Sequence, residues 1–305
     1  MAVVRVSGGR DLAVEITGDP VGMPIFLFHG MPGSRRGPKP RSSVLYRLGV
    51  RLICYDRPGY GGSSRHTGRT VADAASDVRA IADHLGLRKL SVVGRSAGGP
   101  HALACAALLP DRVQSAAVLV SLAPSDAKDL DWYDGMAQSN VNNFGMAYSD
   151  TAALEAKLID LADRIRRNPE TLLENLNQDL AIPDHRVVDD VAIRGLLADT
   201  YAEALRHSAD GWIDDVKALR RPWGFDLSSI RAPVLLWHGE EDRFSPVKHA
   251  YWLARRIPTS IASVQSHVAH FGAVEVLPSV LAWIKEPGRP GGLRIHWLQQ
   301  PALSN

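Results

Sequence analysis

The chain contains little cysteine: only Cys54 and Cys105 occur in its 305 residues. Both lie inside apolar segments, VRLICYD and ALACAALL, a setting typical of thiols that pack in a core. Two isolated cysteines argue against a disulfide framework and against a cysteine-based metal site. We therefore predict that both are packing residues.

Long apolar runs and a strong excess of charge are also absent. No run approaches the roughly 18 apolar residues of a membrane span, and the N-terminus lacks the features of a secretion signal. The formal net charge is only +2, and the basic residues do not form one long cluster, so nothing indicates a nucleic acid or a membrane surface as partner. We expect a soluble, cytoplasmic protein that acts on a small molecule; its oligomeric state stays open.

The sequence does contain a series of short apolar runs that end at glycine or polar residues. Six of them are MPIFLFHG, VRLICYD, KLSVVG, QSAAVLVSLA, APVLLWHG and SIASVQ. Such runs predict strands buried on both faces of a mostly parallel sheet. AVVRVS and DLAVEIT, which precede them, predict an antiparallel pair. Helical patterns lie between the runs, for example after Thr70 as N-cap and up to Gly86, and this alternation predicts a doubly wound α/β sheet.

One block interrupts the alternation of strand and helix. From about residue 125 to 230 the sequence is helix-prone, with segments such as TAALEAKLIDLADRIRR, VVDDVAIRGLLADTYAEALR and GWIDDVKALR. Because this block lies between two predicted strands, we predict a helical cap over one edge of the sheet. The chain then divides into an α/β core (1–124 and 231–286), the cap (125–230) and a C-terminal extension (287–305).

Chemically capable residues follow the predicted strands, as expected at the carboxyl ends of a parallel sheet. In chain order the segments are HGMPGS at 29–34, DRPGYGGS at 56–63, GRSAGG at 94–99, EED at 240–242 and SHVAH at 266–270. They supply a candidate nucleophile, acid and base in the order Ser96, Asp242 and His270.

Taken together, these segments resemble the α/β-hydrolase fold superfamily, in its cap-bearing serine hydrolase branch. GRSAG resembles the G-x-S-x-G nucleophile elbow, a strained strand-to-helix turn that projects the serine. The resemblance covers roughly residues 10–285. It implies that Ser96 attacks a carbonyl, that His270 takes the serine proton, and that Asp242 orients the imidazole.

The same resemblance implies an oxyanion hole made by the backbone N–H groups of Met31 and Ala97. Gly30 and Gly33 are expected to let the HGMPG loop approach the nucleophile closely, and Gly30 to contact substrate. His29, the histidine of the HG pair, is expected to brace this loop.

Two alternatives remain open for the acid and the base. His267 is a rival base, although HFGAVEVL at His270 matches the family pattern better. Asp126 follows another predicted strand, at a position where some relatives carry the acid. In the family the acid follows an HG pair with the spacing HG-x-x-D, and HGEED at 238–242 places Asp242 at that position.

Charged residues around the predicted site have less certain roles. Arg95, beside the nucleophile, either meets an acidic group of the substrate or reaches solvent, and the sequence does not decide. Asp56 and Arg57 are expected to hold the following glycine-rich turn by hydrogen bonds. His101 is expected to be a packed or hydrogen-bonded histidine.

Substrate selection is expected to lie in the predicted cap. Trp132, Phe144 and Met146 are candidates for an apolar acyl or alcohol pocket; the alternative is that such side chains form the cap's own core.

The resemblance favours a serine hydrolase that cleaves a small to medium ester or lactone through an acyl-enzyme, with no metal and no cofactor. Alternatives on the same fold are a proline iminopeptidase-like peptidase, a C–C bond hydrolase or a perhydrolase. A small-molecule receptor is the alternative from a different class, since fold does not imply function.

Overall fold

The computed structural model describes residues 2–287 and contains one eight-stranded sheet flanked by helices. The strands are β1 (Ala2–Arg5), β2 (Asp11–Gly18), β3 (Met23–Phe28), β4 (Val50–Tyr55), β5 (Leu90–Arg95), β6 (Val113–Leu119), β7 (Val234–Gly239) and β8 (Ser260–Gln265). The helices are α1 (Ser42–Leu48), α2 (Asp73–His84), α3 (Gly98–Leu108), α4 (Gln138–Ser149), α5 (Thr151–Arg167), α6 (Thr171–Leu176), α7 (Ile182–Val188), α8 (Val191–Ala204), α9 (Asp210–Leu219), α10 (Lys248–Ala254), α11 (Gly272–Glu275) and α12 (Leu277–Lys285). The predicted C-terminal extension lies outside the described residues, apart from Pro287.

The strand order across the sheet is β1-β2-β4-β3-β5-β6-β7-β8. Strand β2 runs antiparallel to both of its neighbours, and the remaining pairings are parallel. Every strand overlaps an apolar run from which a strand was predicted. The prediction of a doubly wound, mostly parallel α/β sheet is therefore confirmed.

Both faces of the sheet are buried, which explains why the strands read as continuous apolar runs. In β3, Phe26 and Phe28 belong to one hydrophobic cluster, whereas Ile25 and Leu27 belong to another. Successive strand residues point to opposite faces, so each strand contributes to two cores. This arrangement fixes the strand ends at which the polar segments emerge.

Helix α2 begins later than predicted. Thr70 was expected to cap it, but the helix begins at Asp73. The Asp73 carboxylate accepts both the backbone N–H of Thr70, at 2.6 Å, and its hydroxyl, at 2.9 Å. Thr70 is thereby held in a turn before the helix. The predicted stop at Gly86 fits, because Gly86 has a positive φ of +67° just after the helix.

Six helices, α4 to α9, lie between β6 and β7, and we call residues 125–230 the helical insertion. The segment VVDDVAIRGLLADTYAEALR is divided between two of them, since α7 ends at Val188 and α8 begins at Val191. Asp190 separates them, and its carboxylate accepts the N–H groups of Ala192 and Ile193, each at 3.0 Å. An aspartate in this position caps a new helix start.

Candidate active site

A tight turn after β5 carries Ser96. Its φ is +54°, in the left-handed region that few non-glycine residues adopt, and its N–H donates to the Leu119 carbonyl at 2.9 Å. The flanking glycines are required by space: a Cβ on Gly94 would lie 2.3 Å from the carbonyl oxygen of Gly98, and a Cβ on Gly98 would lie 2.5 Å from a β3 carbonyl oxygen. The turn therefore has the strained geometry of a nucleophile elbow.

The loops after β7 and β8 bring Asp242 and His270 together. The imidazole Nδ1 lies 3.0 Å and 2.9 Å from the two carboxylate oxygens. Asp242 also accepts the backbone N–H groups of Phe244 at 2.8 Å and Ser245 at 2.9 Å. Burial alone would raise the pKa of Asp242, but His270 and His238 lower it well below its usual value. An ionised Asp242 accepts a hydrogen bond from the Nδ1–H group of His270, which keeps the proton on Nδ1 and leaves Nε2 as the basic nitrogen.

Ser96 and His270 line the same cavity, which has a volume of about 390 Å³. Within residues 2–287 no hydrogen bond joins their side chains. Such contacts between a nucleophile and its base are often long before substrate binds. The His270 side chain is 12% exposed, which is enough to meet a substrate in this cavity.

Neither alternative residue for the acid or the base lies beside this pair. The His267 side chain is 94% exposed, with its Nδ1 3.6 Å from a carboxylate oxygen of Glu241. Asp126 is exposed and lines a separate cavity. The geometry thus favours His270 and Asp242 over His267 and Asp126.

The two residues expected to supply the oxyanion hole lie at the cavity that Ser96 lines. Met31 and Ala97 both line it, and neither backbone N–H has an acceptor in the described part of the chain. Such pairs of N–H groups can stabilise a developing oxyanion. Only one of the two loop glycines is required by space: a Cβ on Gly33 would lie 2.9 Å from the oxygen of Gly30, whereas the nearest atom to a Cβ on Gly30 is 3.6 Å away. Gly30 does line the cavity.

The oxyanion loop is braced by a buried, neutral histidine. His29 Nδ1 lies 2.8 Å from the Gly30 carbonyl oxygen, and its Nε2 lies 3.2 Å from the backbone N–H of Arg57. Because a backbone N–H only donates, Nε2 accepts and Nδ1 carries the proton. Burial, and then the charge of Arg57, lower the pKa of His29 well below 6.5. The bracing role expected of His29 agrees with these contacts.

Arg57 accepts the Tyr60 N–H on its backbone carbonyl at 3.0 Å, in agreement with its predicted role in the glycine-rich turn, and its side chain supports the oxyanion loop. Its guanidinium donates to the carbonyl oxygens of His29 and, at 2.9 Å, Gly30. It also pairs with Asp215 of α9 at 2.5 Å. Burial alone would raise the pKa of Asp215, but Arg57 and Arg69 lower it well below the usual value. This buried ion-pair cluster ties the helical insertion to the oxyanion loop.

A second set of contacts holds the end of that loop. The Thr200 hydroxyl oxygen of α8 accepts the Ser34 backbone N–H at 3.1 Å and lies 3.0 Å from the Ser34 hydroxyl. The next residue, Arg35, donates its backbone N–H to Asp56 at 2.7 Å, and the two side chains form an ion pair. Asp56 also accepts the Gly62 N–H at 2.9 Å, in agreement with its predicted role in the turn.

His101 of α3 agrees with its predicted packing role. It is buried, and its Nδ1 lies 2.8 Å from the Ala97 carbonyl oxygen. Burial, and then the charge of Arg57, lower its pKa to about 3. A histidine kept neutral in this way is a structural support for the start of α3.

The helical insertion gives the cavity a more polar wall than predicted. Of the three predicted pocket residues, Phe144 lines the cavity but Trp132 and Met146 do not. Trp132 is buried, donates its indole N–H to the Ala123 carbonyl at 2.9 Å, and packs edge-on against Phe144. Met146 packs against the hydrophobic cluster to which Trp132 and Phe144 belong. The substrate-binding roles predicted for Trp132 and Met146 do not fit this placement, because both side chains pack in a hydrophobic cluster that the insertion shares with the α/β core.

The polar side chains of that wall were missed in the sequence. They come from α4 to α6 and the segment after α6: Gln138, Ser139, Asn140, Asn142, Asn143, Lys157, Asp160, Arg164, Asn175 and Gln178. The signal that could have found them is the amide-rich start of α4, QSNVNN, in a segment from which an apolar pocket was predicted.

Arg95 also lines the cavity, and it does not extend into bulk solvent. The residue is partly buried, and its Nη1 is fully buried without a hydrogen-bond acceptor in the described part of the chain. Of the two roles left open by the sequence, this placement favours contact with the substrate.

Residues 2–287 contain no candidate metal cluster and no candidate membrane span. No group of three or more His, Cys, Asp or Glu side chains there could hold a metal ion. No described helix has the length and apolarity to span a bilayer.

Comparison with known proteins identifies the family of this chain. The family model for the alpha/beta hydrolase fold matches residues 23–275. The chain belongs to this family. The non-heme chloroperoxidase of Streptomyces lividans is 26% identical over 254 residues, which cover 82% of this chain and 85% of that protein. The bifunctional esterase/perhydrolase of Acinetobacter calcoaceticus is 24% identical over 256 residues, 81% of this chain and 84% of that protein.

A solved structure of similar fold is the thermophilic esterase from Thermogutta terrifontis. It has a TM-score of 0.66 and 24% identity, and the match covers 93% of this chain and 96% of that one. The present protein is therefore an α/β-fold hydrolase, an enzyme whose substrate is a small molecule.

Proposed function

We propose that this enzyme is a serine hydrolase that cleaves small to medium carboxylic esters or lactones through an acyl-enzyme. One observation carries the proposal: the elbow serine, Ser96, shares a cavity with His270, whose ring is held by the buried carboxylate of Asp242. Met31 and Ala97, whose backbone N–H groups are the proposed oxyanion donors, line the same cavity. These are the parts that acyl transfer to a serine requires.

In the proposed reaction, the Ser96 hydroxyl attacks the ester carbonyl while Nε2 of His270 takes the hydroxyl proton. The oxyanion is stabilised by the N–H groups of Met31 and Ala97, each worth on the order of 3 kcal/mol. The C–O bond to the alcohol then breaks, and His270 returns the proton to the departing alkoxide. Water then attacks the acyl carbon while Nε2 of His270 takes one of its protons. The bond between the acyl carbon and the Ser96 oxygen breaks, His270 returns the proton to that oxygen, and the acid leaves.

We infer that residues 125–230 act as a cap domain that selects the substrate. The cavity has lining residues from the strand ends of the core and from helices α4, α5, α6 and α8 of the insertion. Ligand sites at such junctions take their shape from both parts. The core, in this proposal, comprises 1–124 and 231–286.

The peptidase alternative has less support from the cavity. A peptidase that holds a substrate amine needs carboxylates near the nucleophile. The candidate glutamates of the insertion, Glu155, Glu170, Glu174 and Glu203, do not line the cavity. Glu155 pairs with Lys217, and Glu203 is engaged by Arg35.

Perhydrolysis is a second candidate activity, favoured by the esterase/perhydrolase and chloroperoxidase relatives. Hydrogen peroxide would replace water as the nucleophile that attacks the acyl-enzyme, and a peracid would leave in place of the acid. The same catalytic residues serve both reactions. Peracid formation from an ester and hydrogen peroxide, absent in Ser96→Ala, would support it.

The proposed hydrolase activity is tested with p-nitrophenyl esters of increasing acyl length and a set of simple lactones. We expect many turnovers per enzyme, with loss of turnover in Ser96→Ala. Folding of each protein is checked by circular dichroism and thermal unfolding. Folded wild type that binds these compounds without hydrolysing any of them would contradict the proposal and favour the receptor alternative.

A further inference from the structure

Arg95 is a cation without a counter-ion in the wall of the active-site cavity. No carboxylate oxygen of the described residues lies within 4.0 Å of its guanidinium. Its Nη1 is fully buried, and no hydrogen bond from the side chain reaches any other described residue. Arg95 directly precedes Ser96, so the guanidinium lies on the residue next to the proposed nucleophile.

The other buried arginines show how this fold ordinarily treats such a group. Arg57 and Arg69 both pair with Asp215, and Arg35 pairs with Asp56. A buried charge without a partner is costly, so buried cations are almost always paired. Arg95 departs from this pattern: it has no carboxylate partner among the described residues, and it lines the active-site cavity.

The surroundings of Arg95 strengthen its preference for an anion. Tyr201 also lines the cavity, and its hydroxyl has no hydrogen-bond acceptor among residues 2–287. Burial raises the pKa of Tyr201 to about 12, so it remains a hydroxyl that can donate. Burial also lowers the pKa of Arg95, as expected for a cation removed from water without a compensating charge.

The rest of the cavity is cationic as well. Its lining includes Lys157 and Arg164 of α5, while Asp160 is the single acidic residue in the lining. Lys157 donates to the side-chain oxygen of Asn143 at 2.8 Å and forms no ion pair among the described residues. Three cations and one carboxylate give the cavity a positive charge, which raises the local concentration of anionic substrates.

We propose that the substrate of this hydrolase carries a carboxylate besides its scissile ester or lactone bond, and that Arg95 binds this carboxylate. This inference rests on the proposed function and specifies its substrate class. A guanidinium presents a planar fork of donors that matches a carboxylate. The Tyr201 hydroxyl supplies a further donor in the same wall.

The proposal is tested with two esters of equal acyl length that differ by one charge. Monomethyl glutarate carries a free carboxylate, whereas methyl pentanoate is neutral, and methanol release reports kcat/KM for each. In wild type we expect a preference for monomethyl glutarate of about tenfold to 100-fold, the range of a charge-assisted hydrogen bond. Monomethyl succinate and monomethyl adipate test whether the distance between the two groups matters.

Variants of Arg95 then locate the preference. Arg95→Met should reduce the ratio of the two kcat/KM values by about tenfold or more, mainly through KM for monomethyl glutarate. Arg95→Lys keeps the positive charge but lacks the planar guanidinium donors, so it should retain part of the preference for monomethyl glutarate. It replaces Arg95→Met in this test if Arg95→Met fails to fold. Arg167→Met is the matched control, because Arg167 lies on α5, is exposed and does not line the cavity. It removes the same charge and should leave the ratio unchanged.

A binding measurement separates this inference from the proposed reaction. Calorimetry on Ser96→Ala should show binding of monomethyl glutarate that is weakened when Arg95→Met is added, with inorganic phosphate as a competitor that tests for a general anion site. Binding without turnover in wild type would overturn the proposed function but support the anion site. Turnover of both esters with equal kcat/KM, unchanged in Arg95→Met, would overturn the carboxylate proposal and leave the hydrolase function standing. Inorganic phosphate and glutarate are also compared as inhibitors of ester hydrolysis. Stronger inhibition by phosphate than by glutarate would also overturn the carboxylate proposal.

Discussion

The two walls of the active-site cavity are built in different ways. The core wall holds Ser96, His270 and the oxyanion loop at strand ends, where backbone hydrogen bonds and buried ion pairs fix them. The wall from the helical insertion presents amide and charged side chains of α4 and α5, several of them exposed. The comparison indicates that the chemistry is set by short segments with prescribed backbone geometry. In the proposed function, selectivity is set by side chains whose arrangement depends on how the insertion packs.

The largest expected effect comes from removing the proposed catalytic base, His270, from the core wall. We predict that His270→Ala lowers kcat/KM on simple esters by about 10⁴-fold or more, because proton transfer from Ser96 is lost. His267→Ala is the matched control and should stay within about twofold, since an exposed surface side chain rarely affects stability or chemistry. Steady-state kinetics on both variants decide the assignment. Equal losses in the two would contradict it.

The second largest effect is expected at the buried ion pairs that connect the insertion to the oxyanion loop. Asp215→Asn leaves Arg57 and Arg69 without their buried partner, and we predict a loss of about 3–5 kcal/mol in the free energy of unfolding. Asp210→Asn, on the same helix, breaks an exposed pair with Arg65 and should cost less than about 1 kcal/mol. Urea denaturation measures both. Similar losses in the free energy of unfolding for the two variants would show that the buried cluster contributes little to holding the insertion against the oxyanion loop.

A smaller effect is expected where α8 meets the oxyanion loop. Thr200→Val keeps the shape of the side chain but removes the acceptor of the buried Ser34 N–H. We predict a destabilisation of about 1–3 kcal/mol, together with a fall in kcat larger than the change in KM. Thr151→Val, at the exposed start of α5, is the control. Unchanged stability of Thr200→Val would mean that this contact contributes little.

The smallest effect concerns a buried histidine behind the core wall. His249 accepts the Ala123 N–H on Nδ1 at 3.0 Å, and burial, with the charge of His238, lowers its pKa to about 4. Between pH 6.5 and 4 the unfolded chain therefore binds more protons at this residue than the folded one, so stability falls as pH falls. The expected contribution is about 1 kcal/mol between pH 6.5 and pH 5.5, and its slope does not exceed about 1.4 kcal/mol per pH unit.

Denaturation curves at pH 6.5 and pH 5.5 check this sign. His249→Gln should lower stability at pH 6.5 yet show a shallower decline toward pH 5.5. A decline as steep as that of wild type would mean that His249 is not a source of the pH dependence.

Much of the core wall could be predicted because its signals are local. Ser96 lies between glycines after an apolar run, and Asp242 and His270 follow two further runs, so one topological rule places them at the same sheet edge. The partner of Arg57 could not be predicted in this way. Asp215 is distant in sequence, and only the packing of α9 decides that Asp215, and not Asp214, joins the buried cluster.

The insertion wall was predicted less well for the same reason. Its helices were expected from their periodicity, but periodicity does not tell which face lines a cavity and which forms the insertion's own core. Trp132 and Met146 were therefore assigned to the substrate, although they pack in the hydrophobic cluster shared by the insertion and the α/β core. The role of Arg95 was left open in the sequence, because the absence of a carboxylate partner is visible only when the neighbouring elements are in place.

The central claim, an activated serine in the core wall, is tested most directly by intact-mass measurement after treatment with a fluorophosphonate probe. The account predicts one adduct per chain in wild type and in His267→Ala, with loss of labelling in Ser96→Ala and strongly slowed labelling in His270→Ala. Labelling that persists in Ser96→Ala, or folded wild type that takes up no probe, would contradict it.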